Sequence, residues 1–126
     1  MNQTLILQYF MFLISQVKLY HWTTRNYAIH KALDELYNKL NDKVDHLIET
    51  YIGFYNSNKK QRSVKIISTN FTDNGKHGNI TKFLSKQREI VNSYLKEFEK
   101  VSEIKNILED IMGDIDNTIY LCNLDK

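Results

Sequence analysis

The chain has 126 residues, 42% of them hydrophobic and 25% charged, which is the balance of one globular domain with one core. It contains no proline and only four glycines, which disfavours β-rich folds and favours long helices. The net charge of +2 provides no basic field for nucleic acid, and the single cysteine, Cys122, excludes an intrachain disulfide. We therefore expect one all-α domain over residues 1–126, with Cys122 packed in its core.

The first predicted helix runs from Thr4 to Trp22, because apolar residues recur there at intervals of three and four. Its apolar stretch is interrupted by Gln8 and Gln16 and has no basic residue before it, so a signal peptide is not expected. The stretch is also shorter than the roughly 20 apolar residues that span a bilayer. These features predict a cytoplasmic protein without a membrane segment.

A polar stretch at residues 23–27 predicts a short turn, and a second helix follows from Ala28 to Tyr55. Residues 56–79 are rich in Asn, Ser and Gly and predict a long crossover connection. Within this connection, Val64–Ile67 is expected to pack over the bundle as a short helix or strand. The connection is long enough to run the length of a bundle, so the two helices that it joins should be parallel.

A third helix is predicted from Ile80, with Asn79 as its N-cap, and a fourth begins with Ser102 as its cap. A turn near Phe98–Val101 separates them. Two short connections on either side of a long crossover are typical of ferritin-like bundles. The sequence therefore predicts an all-α, ferritin-like four-helix bundle with a long crossover between the second and third helices.

Side chains that can bind a metal are concentrated on the second helix. At about 100° per residue, His30, Asp34, Asp45 and Glu49 fall within an arc of about 100° on one helix face. Residues four apart on a helix lie together, so His30 pairs with Asp34 and Asp45 with Glu49. A solvated face is the ordinary explanation of such pairs. However, the stripe adjoins apolar residues such as Leu47, and buried carboxylates normally are paired or bind metal.

The two pairs are too far apart to share one ion within a single chain, since roughly 22 Å of helix axis separates His30 from Asp45. If two copies of this helix lie antiparallel about a two-fold axis, the first pair of one chain faces the second pair of the other. His21, across the preceding turn, would complete the nitrogen ligands. Two imidazoles and three carboxylates suit Fe(II), Zn(II) or Mn(II) better than Mg or Ca.

The run LYHWTTRNYAIHKALDELYNKLNDKVDHLIE, residues 19–49, resembles the core of the Dps family, the miniature ferritins named DNA-binding proteins from starved cells. The family pattern is a His-Trp pair, a second histidine, an acid four residues later and an Asp-x-x-x-Glu motif. The matching positions are His21 with Trp22, His30, Asp34, and Asp45 with Glu49. The turn between the two histidines is shorter than in the family.

This resemblance implies a ferroxidase centre shared between two subunits, with His21, His30, Asp34, Asp45 and Glu49 as metal ligands. Such a protein oxidises Fe(II) with hydrogen peroxide or dioxygen and stores the ferric product. It also implies a homo-oligomer, at least a dimer and up to a shell of twelve subunits. A non-catalytic helical scaffold, with or without a structural zinc, is the alternative that the shortened turn leaves open.

The remaining polar residues are interpreted as structural or solvated. The lysine-rich tail of some Dps relatives is not expected, and the basic cluster at residues 59–62 is interpreted as a solvated loop, so DNA binding is not expected. Trp22 is expected to pack beside the metal site. His46 and His77 are expected in solvent, as are the acidic residues of the fourth helix, Glu109, Asp110, Asp114 and Asp116.

Overall fold

The computed structural model describes residues 3–55 and 76–124, and these form four α-helices. The helices are α1 (Gln3–Thr23), α2 (Tyr27–Tyr55), α3 (His77–Glu97) and α4 (Ser102–Cys122). The prediction of an all-α four-helix bundle with a long connection between the second and third helices is confirmed. The predicted insert Val64–Ile67 and the basic cluster at residues 59–62 lie outside the described residues.

Ring and hydrogen-bond contacts show that α1 and α3 are antiparallel neighbours. Near the start of α1, the Tyr9 hydroxyl donates a hydrogen bond of 2.9 Å to the Gln87 side-chain oxygen, toward the middle of α3. Near the end of α1, the ring of Tyr20 meets the ring of Phe83, close to the start of α3. The start of α3 therefore lies beside the end of α1.

The same kind of evidence shows that α2 and α4 are antiparallel. The Tyr51 ring, near the end of α2, packs edge-on against Phe98, just before α4 begins. Farther back along α2, Lys43 forms an ion pair of 2.5 Å with Asp114, beyond the middle of α4. Each short turn also joins an antiparallel pair, so α2 and α3 run in the same direction, as the length of their connection predicts.

The core lies along the bundle axis and is apolar apart from a few hydrogen-bonding side chains. Phe10, Leu13, Leu33, Leu40 and Leu108 are among its fully buried members. Burial of the apolar helix faces is the main force that stabilises such a bundle. Among the described residues, no helix combines the length and the apolar character that crossing a membrane requires.

Two predicted helix caps are wrong. Asn79 is the third residue of α3, which begins at His77 after the N-cap Lys76. The backbone N–H of Ile80 donates to the Lys76 carbonyl and so closes a helical turn that already contains Asn79. Ser102 is the first residue of α4, and Val101 occupies the N-cap position. The Ser102 hydroxyl bonds the Glu103 carboxylate at 3.4 Å instead of a backbone N–H. Neither of these helices has a side-chain cap at its start.

Candidate metal site

A reciprocal pair of histidine hydrogen bonds joins the end of α1 to the start of α2. Nδ1 of His21 lies 2.8 Å from the carbonyl oxygen of His30, and Nδ1 of His30 lies 2.8 Å from the carbonyl oxygen of His21. The two rings are stacked, with centroids 3.9 Å apart and planes 20° apart. Since a carbonyl oxygen only accepts hydrogen bonds, both Nδ1 atoms must carry the hydrogen and donate it.

These hydrogen bonds decide which ring nitrogen is available for chemistry. A neutral imidazole with its hydrogen on Nδ1 has the lone pair on Nε2, which is the atom that would bind a metal. Metal-binding histidines usually donate their other N–H to a carbonyl or carboxylate in this way. Within residues 3–55 and 76–124, neither Nε2 atom has a hydrogen-bond partner, and that of His21 lies 3.8 Å from the Asp34 carboxylate.

The burial of these side chains leaves the site open on one side. His21 is 8% exposed and His30 is half-buried, whereas the Asp34 side chain is 45% exposed. The structure thus brings His21, His30 and Asp34 together, although the turn between the two histidines is short. The Asp34 carboxylate is the part of this group that a further ligand can reach from solvent.

The turn itself explains how α2 begins in the right place for this pairing. The Asn26 side-chain oxygen accepts a hydrogen bond of 3.0 Å from the backbone N–H of Ile29, which is an N-cap interaction. The backbone N–H of Thr24 donates to the Tyr20 carbonyl at 3.0 Å and closes the last turn of α1. With both helix ends held, the two histidines face each other across three residues of turn.

Asp45 and Glu49 lie on α2 but are not part of this group. Both are exposed in the single chain, as on a solvated helix face. Among the described residues, no three side chains of His, Cys, Asp or Glu are arranged to hold a metal ion. In the described residues, His21, His30 and Asp34 lie close together, and Asp45 and Glu49 lie apart from them farther along α2.

Asp45 borders an apolar groove between α1 and α2. The groove has a volume of about 240 Å³. Its lining is mostly apolar and comprises Leu7, Phe10, Met11, Ile14, Asn41, Val44, Asp45 and Ile48. Met11 and nearby Leu5 are among the exposed large hydrophobic residues of the chain. An apolar surface of this kind is typical of a contact with another molecule.

The prediction that Trp22 packs beside the site is wrong. Its side chain is 60% exposed, and the Lys18 ammonium lies 5.7 Å from its ring centroid. The physical reason is helical periodicity, because Trp22 follows His21 and is rotated about 100° away from the buried face.

The prediction that His77 is solvated is also wrong. His77 is the first residue of α3, is half-buried, and lies with Nε2 2.6 Å from the carbonyl oxygen of Cys122 at the end of α4. This contact depends on the tertiary arrangement of two helix ends, so no sequence pattern indicated it. His46 is exposed, as expected.

Cys122 is a core residue, as predicted. It is buried and has no disulfide partner. Burial raises the pKa of its thiol to about 11. The raised pKa keeps the thiol protonated at neutral pH, and the thiol, unlike the thiolate, is a poor nucleophile.

The acidic residues of α4 divide into two kinds. Glu109, Asp110 and Asp116 are exposed, as expected of a solvated face, and Asp116 pairs with Arg88 at 2.6 Å. Asp114 differs from this prediction, because its side chain is only 14% exposed and is paired with Lys43. The Lys43–Asp114 pair therefore helps to hold α2 against α4.

Comparison with known proteins places the chain outside the Dps family. The model of DUF5856, a family of unknown function, matches residues 21–122. A similar protein is the uncharacterized 14.6 kDa protein in the mobD-ri intergenic region of Enterobacteria phage T4, which is 30% identical over 105 residues, covering 83% of this chain and 75% of the phage protein. No solved structure matches the chain.

The resemblance to Dps proteins is therefore wrong as a family assignment. The motif that suggested it consists mainly of two pairs spaced four residues apart, and such pairs occur on any charged amphipathic helix. The DUF5856 match, by contrast, extends from His21 at the end of α1 to Cys122 at the end of α4. The chain belongs to DUF5856.

Proposed function

We propose that this protein binds a divalent transition metal at the histidine pair and that Fe(II) is the ion it binds and oxidises. His21, His30 and Asp34 would supply ligands from one chain. Asp45 and Glu49 of a second copy would supply the remaining carboxylates. Hydrogen peroxide or dioxygen would be the oxidant, and Zn(II) or Mn(II) would fit the same mixed set of nitrogen and oxygen ligands.

The observation that carries this proposal is the reciprocal hydrogen bonding of the two histidines. Both Nδ1 atoms are used on backbone carbonyls at 2.8 Å, so both Nε2 atoms are held as acceptors in adjacent stacked rings. In known metal sites, a hydrogen bond from the second ring nitrogen fixes the orientation of the metal-binding histidine. The nearby Asp34 carboxylate adds the negative charge that a divalent ion requires.

The incomplete ligand set supports a second copy as the partner. The face formed by α1 and α2 has the histidine pair and Lys18 toward one end and Asp45 and Glu49 toward the other. A two-fold axis places opposite ends of such a face together, so Asp45 and Glu49 of one chain would face the histidine pair and Lys18 of the other. The apolar groove bordered by Asp45 lies on this face and would be covered in the dimer.

The helix directions support a ferritin-like classification of the bundle. Two antiparallel hairpins, α1–α2 and α3–α4, are joined by a long connection between two parallel helices. Ferritin-like bundles have this single crossover. In the described residues the centre of this bundle is apolar, and the carboxylates and histidines lie at its surface and at one end. The metal chemistry is thus proposed for a subunit contact and not for the bundle interior.

In the proposed reaction, iron is the substrate and the chain supplies its binding and its charge balance. Two Fe(II) ions give up one electron each, and hydrogen peroxide takes up both electrons to form two hydroxide ions. The carboxylates of Asp34, Asp45 and Glu49 favour Fe(III) over Fe(II), because a higher positive charge is more strongly stabilised by anionic oxygen. Open positions on the metal would admit the oxidant.

A non-catalytic scaffold is the second candidate function, and the same hydrogen bonds favour it. The His30 imidazole donates to the carbonyl of His21, which belongs to the last turn of α1 and has no continuing helix to bond. The histidines could therefore serve only to hold α1 against α2. In the iron function the Nε2 atoms bind the metal, whereas in the scaffold they have no role.

Anaerobic loading with Fe(II), followed by addition of hydrogen peroxide, tests the proposal. The expected result is ferric absorbance that develops faster than in a protein-free blank. Asp45→Asn combined with Glu49→Gln should remove most of this acceleration without unfolding the chain, because both side chains are exposed. Sedimentation of the wild-type protein should show a dimer or a larger assembly.

The matched control is Glu109→Gln combined with Asp110→Asn on α4, which removes the same two charges from another exposed helix face. This control should oxidise iron as the wild type does. Oxidation no faster than the blank, or equal loss in both double variants, would contradict the iron function. Normal stability without any iron turnover would favour the scaffold.

A further inference from the structure

A second pocket, separate from the histidine pair, lies where the end of α1 meets the start of α3. Its volume is about 330 Å³, within the range of small-molecule sites. It is lined by Tyr20 from α1 and by Asn79, Lys82, Phe83 and Lys86 from α3. None of these residues belongs to the proposed metal site, so this surface can be assessed independently of it.

The polar lining of the pocket carries positive charge. Lys82 and Lys86 are four residues apart on α3, so their side chains project from one face about 5 to 6 Å apart at Cβ. Both are exposed, and neither forms an ion pair within residues 3–55 and 76–124. Elsewhere in the described bundle, Lys43 and Arg88 do pair with carboxylates. Within the described part of the chain, the pocket therefore presents two ammonium groups that no carboxylate pairs.

The start of α3 adds hydrogen-bond donors beside these lysines. Within the described residues, the Lys76 side chain does not cap α3, and the first backbone N–H groups of a helix have no partner inside the helix. Asn79, in the first turn, lines the pocket. The positive end of a helix dipole favours an anion, phosphate in particular.

The other wall of the pocket is aromatic. The rings of Tyr20 and Phe83 meet edge to face with centroids 5.2 Å apart, and both side chains are only partly buried. Phe12 lies behind Phe83, with ring centroids 6.1 Å apart. Exposed aromatic surface next to cations is the combination that binds a phosphate on one side and stacks a planar ring on the other.

We propose that the pocket formed by Tyr20, Asn79, Lys82, Phe83 and Lys86 binds a nucleoside phosphate. The lysines and the start of α3 contact the phosphate, and the base lies against the aromatic wall. The volume suits a single nucleotide, so a free mononucleotide is the expected ligand. The terminal nucleotide of a nucleic acid strand offers the same chemistry, and the experiment separates these two sources.

Calorimetric titration of the full chain with AMP, in buffer containing EDTA, tests the proposal. Chelation keeps the metal site empty, so failure here would not bear on the iron function. Wild-type protein should bind AMP, and Lys82→Gln with Lys86→Gln should weaken binding about ten-fold or more, since hydrogen bonds to charged groups are the strong ones. Lys39→Gln with Lys96→Gln, which removes two exposed lysines outside the pocket, should bind as the wild type does.

Three further ligands define what is recognised. Inorganic phosphate and adenosine should each bind more weakly than AMP, because each makes only half of the contacts. A single-stranded oligonucleotide with a terminal phosphate should bind no more tightly than AMP if the free nucleotide is the ligand, and tighter binding would assign the pocket to strand ends. Absence of AMP binding by the folded wild type, or equal loss in both double variants, would overturn the proposal.

Discussion

The two short turns of the bundle are closed by different chemistry. The α3–α4 turn uses backbone hydrogen bonds, from Phe98 to the Tyr94 carbonyl at 3.0 Å and from Val101 to the Phe98 carbonyl at 2.9 Å. The Phe98 ring fills the space beneath, 4% exposed and edge-on to Tyr51. The α1–α2 turn also has a backbone hydrogen bond, from Thr24 to the Tyr20 carbonyl, and in addition two polar side chains bond the backbone across the two helix ends.

The difference shows what a turn requires and what the histidines add. An apolar ring and backbone hydrogen bonds suffice to close the α3–α4 turn. At the α1–α2 turn, His21 and His30 each use Nδ1 for a hydrogen bond that closes the turn. The Nε2 atom of each ring takes no part in closing the turn. A buried polar group is costly unless it is bonded. The proposed metal binding rests on these second nitrogens, the Nε2 atoms.

Removal of the Phe98 ring should have the largest effect on stability. Phe98→Ala should lower the free energy of unfolding by about 3–5 kcal/mol, because it leaves a cavity between α2 and the start of α4. Urea denaturation followed by circular dichroism measures this change. Any metal affinity should persist in the folded fraction, since the ring is remote from the histidines. A loss below about 1 kcal/mol would show that the α3–α4 turn does not depend on apolar packing.

Two substitutions of His30 separate closure of the turn from metal binding. His30→Gln removes the donor at the Nδ1 position, and it should cost about 1–3 kcal/mol by leaving the His21 carbonyl unsatisfied. His30→Asn places an amide N–H at the same position and should cost less than about 1 kcal/mol. Denaturation curves of both variants measure the difference. Equal stability of the two variants would contradict the proposed role of the His30–His21 hydrogen bond.

Substitutions at the starts of α2 and α4 should have the smallest effects on stability. Asn26→Ala should destabilise the chain by about 1 kcal/mol, because it removes the oxygen that caps Ile29. Ser102→Ala should change stability by a few tenths of a kcal/mol at most, because this hydroxyl bonds no backbone N–H at the helix start. Thermal melts of the two variants, compared with wild type, check the order. A larger loss of stability in Ser102→Ala than in Asn26→Ala would contradict these assignments of the helix caps.

The helices could be predicted from the sequence, whereas the contacts between their ends could not. Apolar residues recur at helical intervals along all four helices, so their existence and approximate limits follow from the pattern. The cap at Asn79 was wrong because local cap preference competes with tertiary docking of the helix start. The burial of His77 against the Cys122 carbonyl likewise depends on two helix ends that lie 45 residues apart in the chain.

The proximity of His21, His30 and Asp34 could be predicted from the sequence, whereas the hydrogen bonds of the two histidines could not. The spacing of His30 and Asp34 places them on one face, and the short turn brings His21 close. The reciprocal hydrogen bonds depend on ring rotations that a sequence does not specify. Trp22 illustrates the opposite case, because a large apolar residue next to a buried histidine was expected to be covered and is exposed in the single chain.

The central claim is that the histidine pair binds a divalent metal through its Nε2 atoms. Anaerobic calorimetric titration of wild type and His30→Asn with Fe(II) tests it most directly, because the asparagine can retain the hydrogen bond to His21 while removing Nε2. Saturable binding by the wild type, weakened about ten-fold or more in His30→Asn, is the predicted result. Identical affinities in the two proteins, or no binding by folded wild type, would contradict the claim.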